Sequence, residues 1–257
     1  MDPRHTWPQP ILDRVGCASV TDSSGRSGAT TWRIETQPVQ YLKIADAGTL
    51  KGDAEGLRWF AGGPIRTPEV LEYLSADRDY LLTAEIPGTV AYESPWRDDP
   101  ARLATTLGKA LRRFHEGYDL SSCSLHYDPQ DMFSRVQNNY AAGNWEQSML
   151  DWLGGIDPHE GYQRICETIN ILRSDVVLHG DWCLPNVLLQ DWQVSGTLDL
   201  GMAGRGDRHY DLHWCIWSLD YNLHTREWTD AFLDAYGRDA VDHERLALCG
   251  LITAYDG

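Results

Sequence analysis

Three polar side chains within one stretch, His179 to Gly201 (HGDWCLPNVLLQDWQVSGTLDLG), have the types and spacing needed to handle a phosphoryl group. Asp181 is followed five positions later by Asn186, and a second carboxylate, Asp199, comes after a short hydrophobic run. A phosphoryl group in flight spreads negative charge over several oxygens, so its transfer calls for a hard cation to neutralise that charge and a carboxylate to orient the attacking hydroxyl. Magnesium takes oxygen ligands, which Asn186 and Asp199 offer. Asp181 is then the base or orienting group, accepting the hydroxyl proton as the new bond forms. Taken singly, each residue has a plainer explanation, since an Asp near a turn is usually a cap and a lone His is usually hydrogen-bonded structure. The joint spacing favours chemistry, with His179 itself assigned to structure.

The elements that must hold these groups are legible beside them. Val176, Val177 and Leu178 form a short buried strand leading in, and Val187 to Leu189 followed by Val194 to Leu198 predict a hairpin turning near Asp191. That puts both candidate ligands at strand ends facing one cleft. The order Asp, Asn five positions on and then Asp-x-Gly, here Asp199-Leu200-Gly201, matches the catalytic loop and metal-binding triplet of protein kinases.

The first third of the chain is rich in strand signals: Cys17 to Thr21, Thr30 to Thr36, Val39 to Ile44, Val70 to Ser75 and Tyr80 to Glu85. The loop Ser23-Ser24-Gly25-Arg26-Ser27-Gly28-Ala29 either lays backbone N–H groups over phosphates or is a plain hairpin connection. Lys43 sits in a strand with apolar neighbours, where a cation can meet phosphate oxygens or simply be exposed. A buried lysine needs an acid, and the following helix, Thr49 to Ala61, carries Asp53 on the same face as Leu57 and Phe60. Glu55 lies about 200° from Asp53 around the axis, so Asp53 is the acid expected to look inward. After the break Ile86-Pro87-Gly88 the pattern turns helical: Asp99 to Glu116, Gln130 to Ala142, Tyr162 to Leu172, Leu212 to Asn222, Trp228 to Tyr236 and His243 to Ala254. A strand-rich part over residues 1–86 and a helical part over 87–257 predict an α+β fold of two lobes with a cleft between them.

Composition bounds the partners. Hydrophobic residues at 42% and charged residues at 23% are ordinary for a globular protein of 257 residues. A formal charge of −16 argues against nucleic acid or an anionic membrane surface; it suits a cationic ligand, or serves solubility alone. The six cysteines include no Cys-x-x-Cys pair, so they read as reduced thiols rather than a zinc cage or disulfide framework. The start, MDPRHTWPQP, is not signal-like and no later segment is apolar enough to span a bilayer, which leaves the cytoplasm as the expected compartment.

The sequence resembles the aminoglycoside phosphotransferases, nearest the 3′-O-phosphotransferases, through HGDWCLPN, SGTLDLG and GDRHYDL, with likeness along nearly the whole chain. The resemblance implies the bilobal protein-kinase-like fold, a nucleotide-binding N-lobe, and ATP with magnesium as cofactors, GTP being the alternative donor. It implies Asp181 as base, Asn186 and Asp199 as metal ligands, and Lys43 as the clamp on the α and β phosphates, paired with Asp53 or, after a shift of the helix, with Glu55. Tyr41 and Leu198 would cover the two faces of adenine, with Ala84 C=O and Ile86 N–H reading its edge and Ser27 among the nucleotide contacts. Asp211 would brace the catalytic loop.

Departures from the family pattern fall mostly on the acceptor side. The family acid at position 53 is usually Glu, and Met202 stands where Arg often follows Asp-x-Gly. Relatives run several acids together near position 151, where this chain reads Asp151-Trp152-Leu153-Gly154, and Trp217 occupies another expected charged position. The C-terminus lacks the usual acidic-aromatic ending, although Asp256 could stand in. Asp151, Trp152, Trp217 and Asp256 are therefore the candidate acceptor contacts, the tryptophans being either a flat ligand surface or core packing. The expected activity is ATP-dependent phosphorylation of a hydroxyl on a small, cationic antibiotic. One alternative keeps the chemistry with a nucleoside, peptide or other hydroxylated acceptor; another, from a different class, is a kinase-like module that binds nucleotide without turnover. The short run from Asp199 to Asp211 and the lack of an Ala-Pro-Glu motif argue against a protein kinase.

Overall fold

Alternation along one strand organises the first third of the molecule. In the computed structural model, which describes residues 2–25 and 28–256, Gln40–Asp46 (β3) points Leu42 and Ile44 to one face of a sheet and Tyr41, Lys43 and Ala45 to the other. The sheet also contains Val20–Asp22 (β1), Thr30–Ile34 (β2), Val70–Ser75 (β4) and Arg78–Ala84 (β5), in the antiparallel order β1-β2-β3-β5-β4. Leu42, Ile44, Tyr80 and Leu82 pack with Trp7, Ile11 and Val15, the last two from an N-terminal helix, Gln9–Val15 (α1). On the other face Ala45 and Leu81 meet Leu50, Ala54, Leu57 and Phe60 of the second helix, Lys51–Phe60 (α2), and its lead-in. Lys43 shares that face and therefore looks towards α2.

The N-terminal helix was not expected. The strand predicted from Cys17 begins only at Val20, and the apolar residues Ile11 and Val15 before it, four apart and introduced by Pro8, build a helix on the sheet instead.

Past Thr89–Val90 (β6) the chain becomes helical: Pro100–Glu116 (α3), Pro129–Ala141 (α4), Gln147–Trp152 (α5) and Pro158–Thr168 (α6) precede the catalytic stretch. Asp99, Asp128 and Asp157 cap α3, α4 and α6 with a proline as the first helical residue each time, which sharpens the helix starts. The predicted lead-in strand and hairpin are Val176–Leu178 (β7), Val187–Gln190 (β8) and Gln193–Thr197 (β9). The hairpin turns at Asp191 and Trp192, both at positive φ, as a two-residue turn that follows sheet twist requires. Trp192 is held there by Trp96, ring centroids 5.1 Å apart, and by Arg102, whose guanidinium carbon lies 4.3 Å from the Trp192 ring. Gly204–Gly206 (β10) pairs with β7, and His209–Leu223 (α7), Thr229–Tyr236 (α8) and His243–Thr253 (α9) complete the chain.

Two lobes result, a sheet with α1 and α2 and a larger helical part, sharing one core through Phe60, Phe114, Leu200 and Trp182. Among the described residues no helix is long and apolar enough to cross a membrane, and all six cysteines are free thiols.

Candidate active site

The stretch that begins at His179 is held from below by one buried carboxylate. Asp211, near the start of α7, accepts the backbone N–H of His179 through Oδ2 and of Gly180 through Oδ1, each at 2.8 Å. His115 of α3 sits 2.9 Å from the same Oδ2 through Nε2, with Nδ1 2.8 Å from the Tyr236 hydroxyl. Gly180 has φ +89°, and a Cβ there would lie 2.2 Å from the Met202 carbonyl oxygen, so this turn admits only glycine. His179 ties the loop to β9. Its Nδ1 accepts Asp181 N–H at 3.1 Å, which leaves Nε2 as the N–H facing Thr197 Oγ1 at 2.5 Å. Thr197 donates on to the Asn186 carbonyl at 2.9 Å. Burial holds the His179 ring below the usual histidine range, so it is neutral and structural.

Asp181 Oδ2 accepts a hydrogen bond from Asn186 Nδ2 at 2.6 Å. The amide must turn its nitrogen to that carboxylate, so Asn186 Oδ1 faces the other way as an oxygen donor for a cation. Asp199, in the left-handed region at φ +59° that Asp tolerates better than most residues, holds its side chain 42% exposed. A half-open carboxylate and an amide oxygen suit magnesium, which keeps several waters and shares phosphate oxygens rather than filling an all-protein cage. Burial pushes the Asp181 carboxyl up to about 6; the nearby Asp199 charge adds to this, while Cys183 and Asn186 oppose it.

Across the cleft, Lys43 Nζ lies 3.1 Å from Asp53 Oδ2 and 3.2 Å from each oxygen of Asp199. Burial acts to lower the lysine pKa, but Asp53 and then Asp199 outweigh it and hold the ammonium above its ordinary range. Asp53 is buried, as its helical position predicts, and its second oxygen accepts Leu200 N–H at 3.1 Å. Glu55 is exposed and reaches Lys51 instead. Lys43, Asp53 and Asp199 line a cavity of about 290 Å³ together with Gly28, Ala29, Thr49 and Leu50. A wider hollow of about 650 Å³ lies elsewhere, at the start of α9, where Asp175 meets Arg208 and Arg245 and the charges neutralise one another.

The adenine-side expectations fall on β3, on the end of β5 and just after β9. Tyr41 is half-buried with its hydroxyl 3.5 Å from Glu85, and Leu198 is half-buried directly after β9, its N–H bonded to Asn186 C=O at 2.8 Å. Ala84 N–H goes to Glu69 and Glu85 N–H to Val39, whereas Ile86 N–H meets no backbone acceptor among the described residues. Ser27 lies outside the described residues.

The acceptor-side candidates differ in how far they are already engaged. Asp256 is buried, not open to a ligand: Tyr127 and Tyr210 donate their hydroxyls to its Oδ2 and Arg135 donates to Oδ1. Trp152 gives its indole N–H to Asp220 and is held between Arg226, 4.2 Å from its ring, and His213, so it is packing. Trp217 is half-buried, edge-on to Trp214 and stacked 5.1 Å from Tyr221. Asp151 is exposed on α5, accepting from Gln147 at 3.0 Å. A missed residue is Asp79 of β5, which accepts Leu50 N–H at 2.8 Å and so anchors the start of α2. Its place at the end of the charged run Asp77-Arg78-Asp79, just before Tyr80-Leu81-Leu82, hid that, because such a run reads as a solvated turn.

The comparisons with known proteins show the family. The family model described as "Phosphotransferase enzyme family" (APH) matches residues 20–249. A probable aminoglycoside 3′-phosphotransferase of Lactococcus lactis subsp. lactis (strain IL1403) is 33% identical over 247 residues, covering 95% of this chain and 93% of that protein. The streptomycin 3″-kinase of Streptomyces griseus is 30% identical, covering 92% of each. Among solved structures, an aminoglycoside-3′-phosphotransferase of type VIII superposes with a TM-score of 0.80 at 28% identity over 96% of each chain. With catalytic loop, metal-ligand candidates and paired lysine all inside the matched span, the chain belongs to the APH family of phosphotransferase enzymes and has its kinase-like bilobal fold.

Proposed function

We propose that this enzyme moves the terminal phosphoryl group of ATP to a hydroxyl of an aminoglycoside antibiotic, acting as a 3′-type resistance kinase in the cytoplasm. The observation that carries this is Lys43 bridging Asp53 and Asp199 in one cavity, with the Asp181–Asn186 pair joined to the residue before Asp199 through Leu198 N–H on the Asn186 carbonyl. Residues 1–86 would bind the nucleotide and residues 87–257 would supply the catalytic loop and the acceptor site. Lys43 holds the α and β phosphates and is itself fixed by Asp53. Ala84 C=O and Ile86 N–H offer the adenine edge its partners, with Tyr41 and Leu198 over its faces. Asn186 Oδ1 and Asp199 would hold magnesium, which supplies neutralisation of the charge developing on the transferred phosphoryl oxygens. Asp181 orients the acceptor hydroxyl for in-line attack and takes its proton. GTP is the alternative donor.

For the acceptor, relatives named for aminoglycoside and streptomycin phosphorylation, together with a formal charge of −16, support a polycation. With Trp152 and Asp256 engaged in packing, Asp151 and Trp217 remain the candidate contacts. A second reading, an acceptor with a flat apolar face, is favoured by the Trp214, Trp217 and Tyr221 ladder along α7.

A coupled ADP-release assay with magnesium ATP decides among these. The panel holds kanamycin-type and neomycin-type aminoglycosides, streptomycin, nucleoside antibiotics and cationic peptides. Turnover with the aminoglycosides is expected; turnover confined to another class reassigns the acceptor, and nucleotide binding without ADP release from any member refutes phosphotransfer.

A further inference from the structure

The acid that pairs with Lys43 is an aspartate, one methylene shorter than glutamate, and the helix carrying it has glycine on both sides. On α2, Gly52, Asp53 and Gly56 share the surface that faces the Asp199-Leu200-Gly201 backbone. A Cβ at position 56 would lie 2.4 Å from the Leu200 carbonyl oxygen and 3.0 Å from Leu200 Cβ; one at 52 would lie 2.9 Å from the Gly201 carbonyl oxygen. Those neighbours are mainly backbone, which cannot swing aside. An alanine at 56 would drive the helix back by about 1 Å to restore ordinary contact. One methylene lengthens a side chain by about the same amount.

We propose that Gly52 and Gly56 are positioning residues that set the reach of Asp53, a geometry resting on the phosphotransfer reading for its catalytic purpose. The close approach lets the short carboxylate do two jobs at once, with Oδ2 on Lys43 at 3.1 Å and Oδ1 on Leu200 N–H at 3.1 Å. The phosphate clamp and the metal-binding triplet are thus joined through one side chain. Asp79 stops the helix from drifting, because its carboxylate holds Leu50 N–H at the other end of the contact. Acid length and glycine are one matched choice: with glycine at 56 a glutamate overshoots, and with alanine at 56 an aspartate falls short.

Wild type, Gly56→Ala, Asp53→Glu and the double variant, each as the full chain, test this as a cycle. The readouts are the Kd of magnesium ATP by calorimetry, KM for ATP and kcat separately, and the melting temperature of the nucleotide-free protein. Each single change is expected to weaken nucleotide binding and raise KM for ATP by about tenfold, and the double variant to recover most of that loss, a coupling typical of contacting residues. Gly52→Ala, with the milder clash, should fall between wild type and Gly56→Ala, and stands in if Gly56→Ala does not fold. A double variant that binds no better than the product of the singles overturns the proposal, as does a Gly56→Ala protein with unchanged KM for ATP. The melting temperatures read the fit without nucleotide. Coupling there with no ADP release by wild type would refute the phosphotransfer reading while the matched geometry stands; additive losses there would refute the geometry whatever the activity.

Discussion

Asp181 is caught between two demands. In the role of base proposed above its carboxylate must be ionised to accept a proton, yet burial raises it from an ordinary 3.8 to about 6. A folded-state value above the unfolded one means that the folded chain binds the proton more tightly. The penalty is therefore absent below about pH 4, grows as pH rises towards 6 and is complete above it, reaching at most about 3 kcal/mol. Asp181→Asn removes the charge and keeps an oxygen for Asn186 Nδ2. We expect kcat to fall by between about 10² and 10⁴ with ATP affinity retained, while urea unfolding without metal shows the variant more stable than wild type at pH 8 and equal at pH 4. Near-normal turnover would remove Asp181 from the role of base; an equal or lower stability at pH 8 would show that its burial is compensated.

At the scale of elements, two contacts between neighbouring segments set the site. Asp79 lies on β5 but fixes the start of α2, and Asp79→Ala strands Leu50 N–H in a buried position. The expected cost is about 1–3 kcal/mol, read as a lower unfolding midpoint together with a raised KM for ATP; a drop in stability with KM unmoved would confine Asp79 to folding. Thr197 links β9 to the loop by accepting from His179 and donating to the Asn186 carbonyl. Thr197→Val keeps the shape and removes both bonds, and should lower kcat more than it raises KM for ATP, with Thr197→Ser restoring activity. Equal kcat in the Val variant would mean that Asp211 alone holds the loop.

For the whole molecule, charge is the term that acts at a distance. A formal charge of −16 draws a polycation towards the cleft and opposes ATP. Raising salt from about 50 to about 300 mM shortens the screening length and should lower kcat/KM for an aminoglycoside several-fold, with no comparable fall for ATP. Steady-state kinetics with each substrate varied in turn checks this, and a salt-independent acceptor term would restrict the acidic surface to solubility.

Much of the site could be read along the chain because Asp181, Asn186, Asp199 and the β8–β9 hairpin are neighbours in sequence, and local spacing constrains local geometry. The face of α2 that carries Asp53 followed in the same way, from helical periodicity alone. The N-terminal helix escaped because its few apolar residues take their partners from strands that come later in the chain. Trp152 and Asp256 illustrate the opposite limit. Nothing near Trp152 in sequence foretells Asp220, Arg226 or His213, and nothing near Asp256 foretells Tyr127, Arg135 or Tyr210. By itself, then, the sequence determined the chemistry and the order of the elements, since those rest on residue type and short spacing. Only the tertiary structure decided which polar groups remain open to a substrate, and how close α2 comes to Leu200, because burial and backbone approach are set by contacts between distant segments.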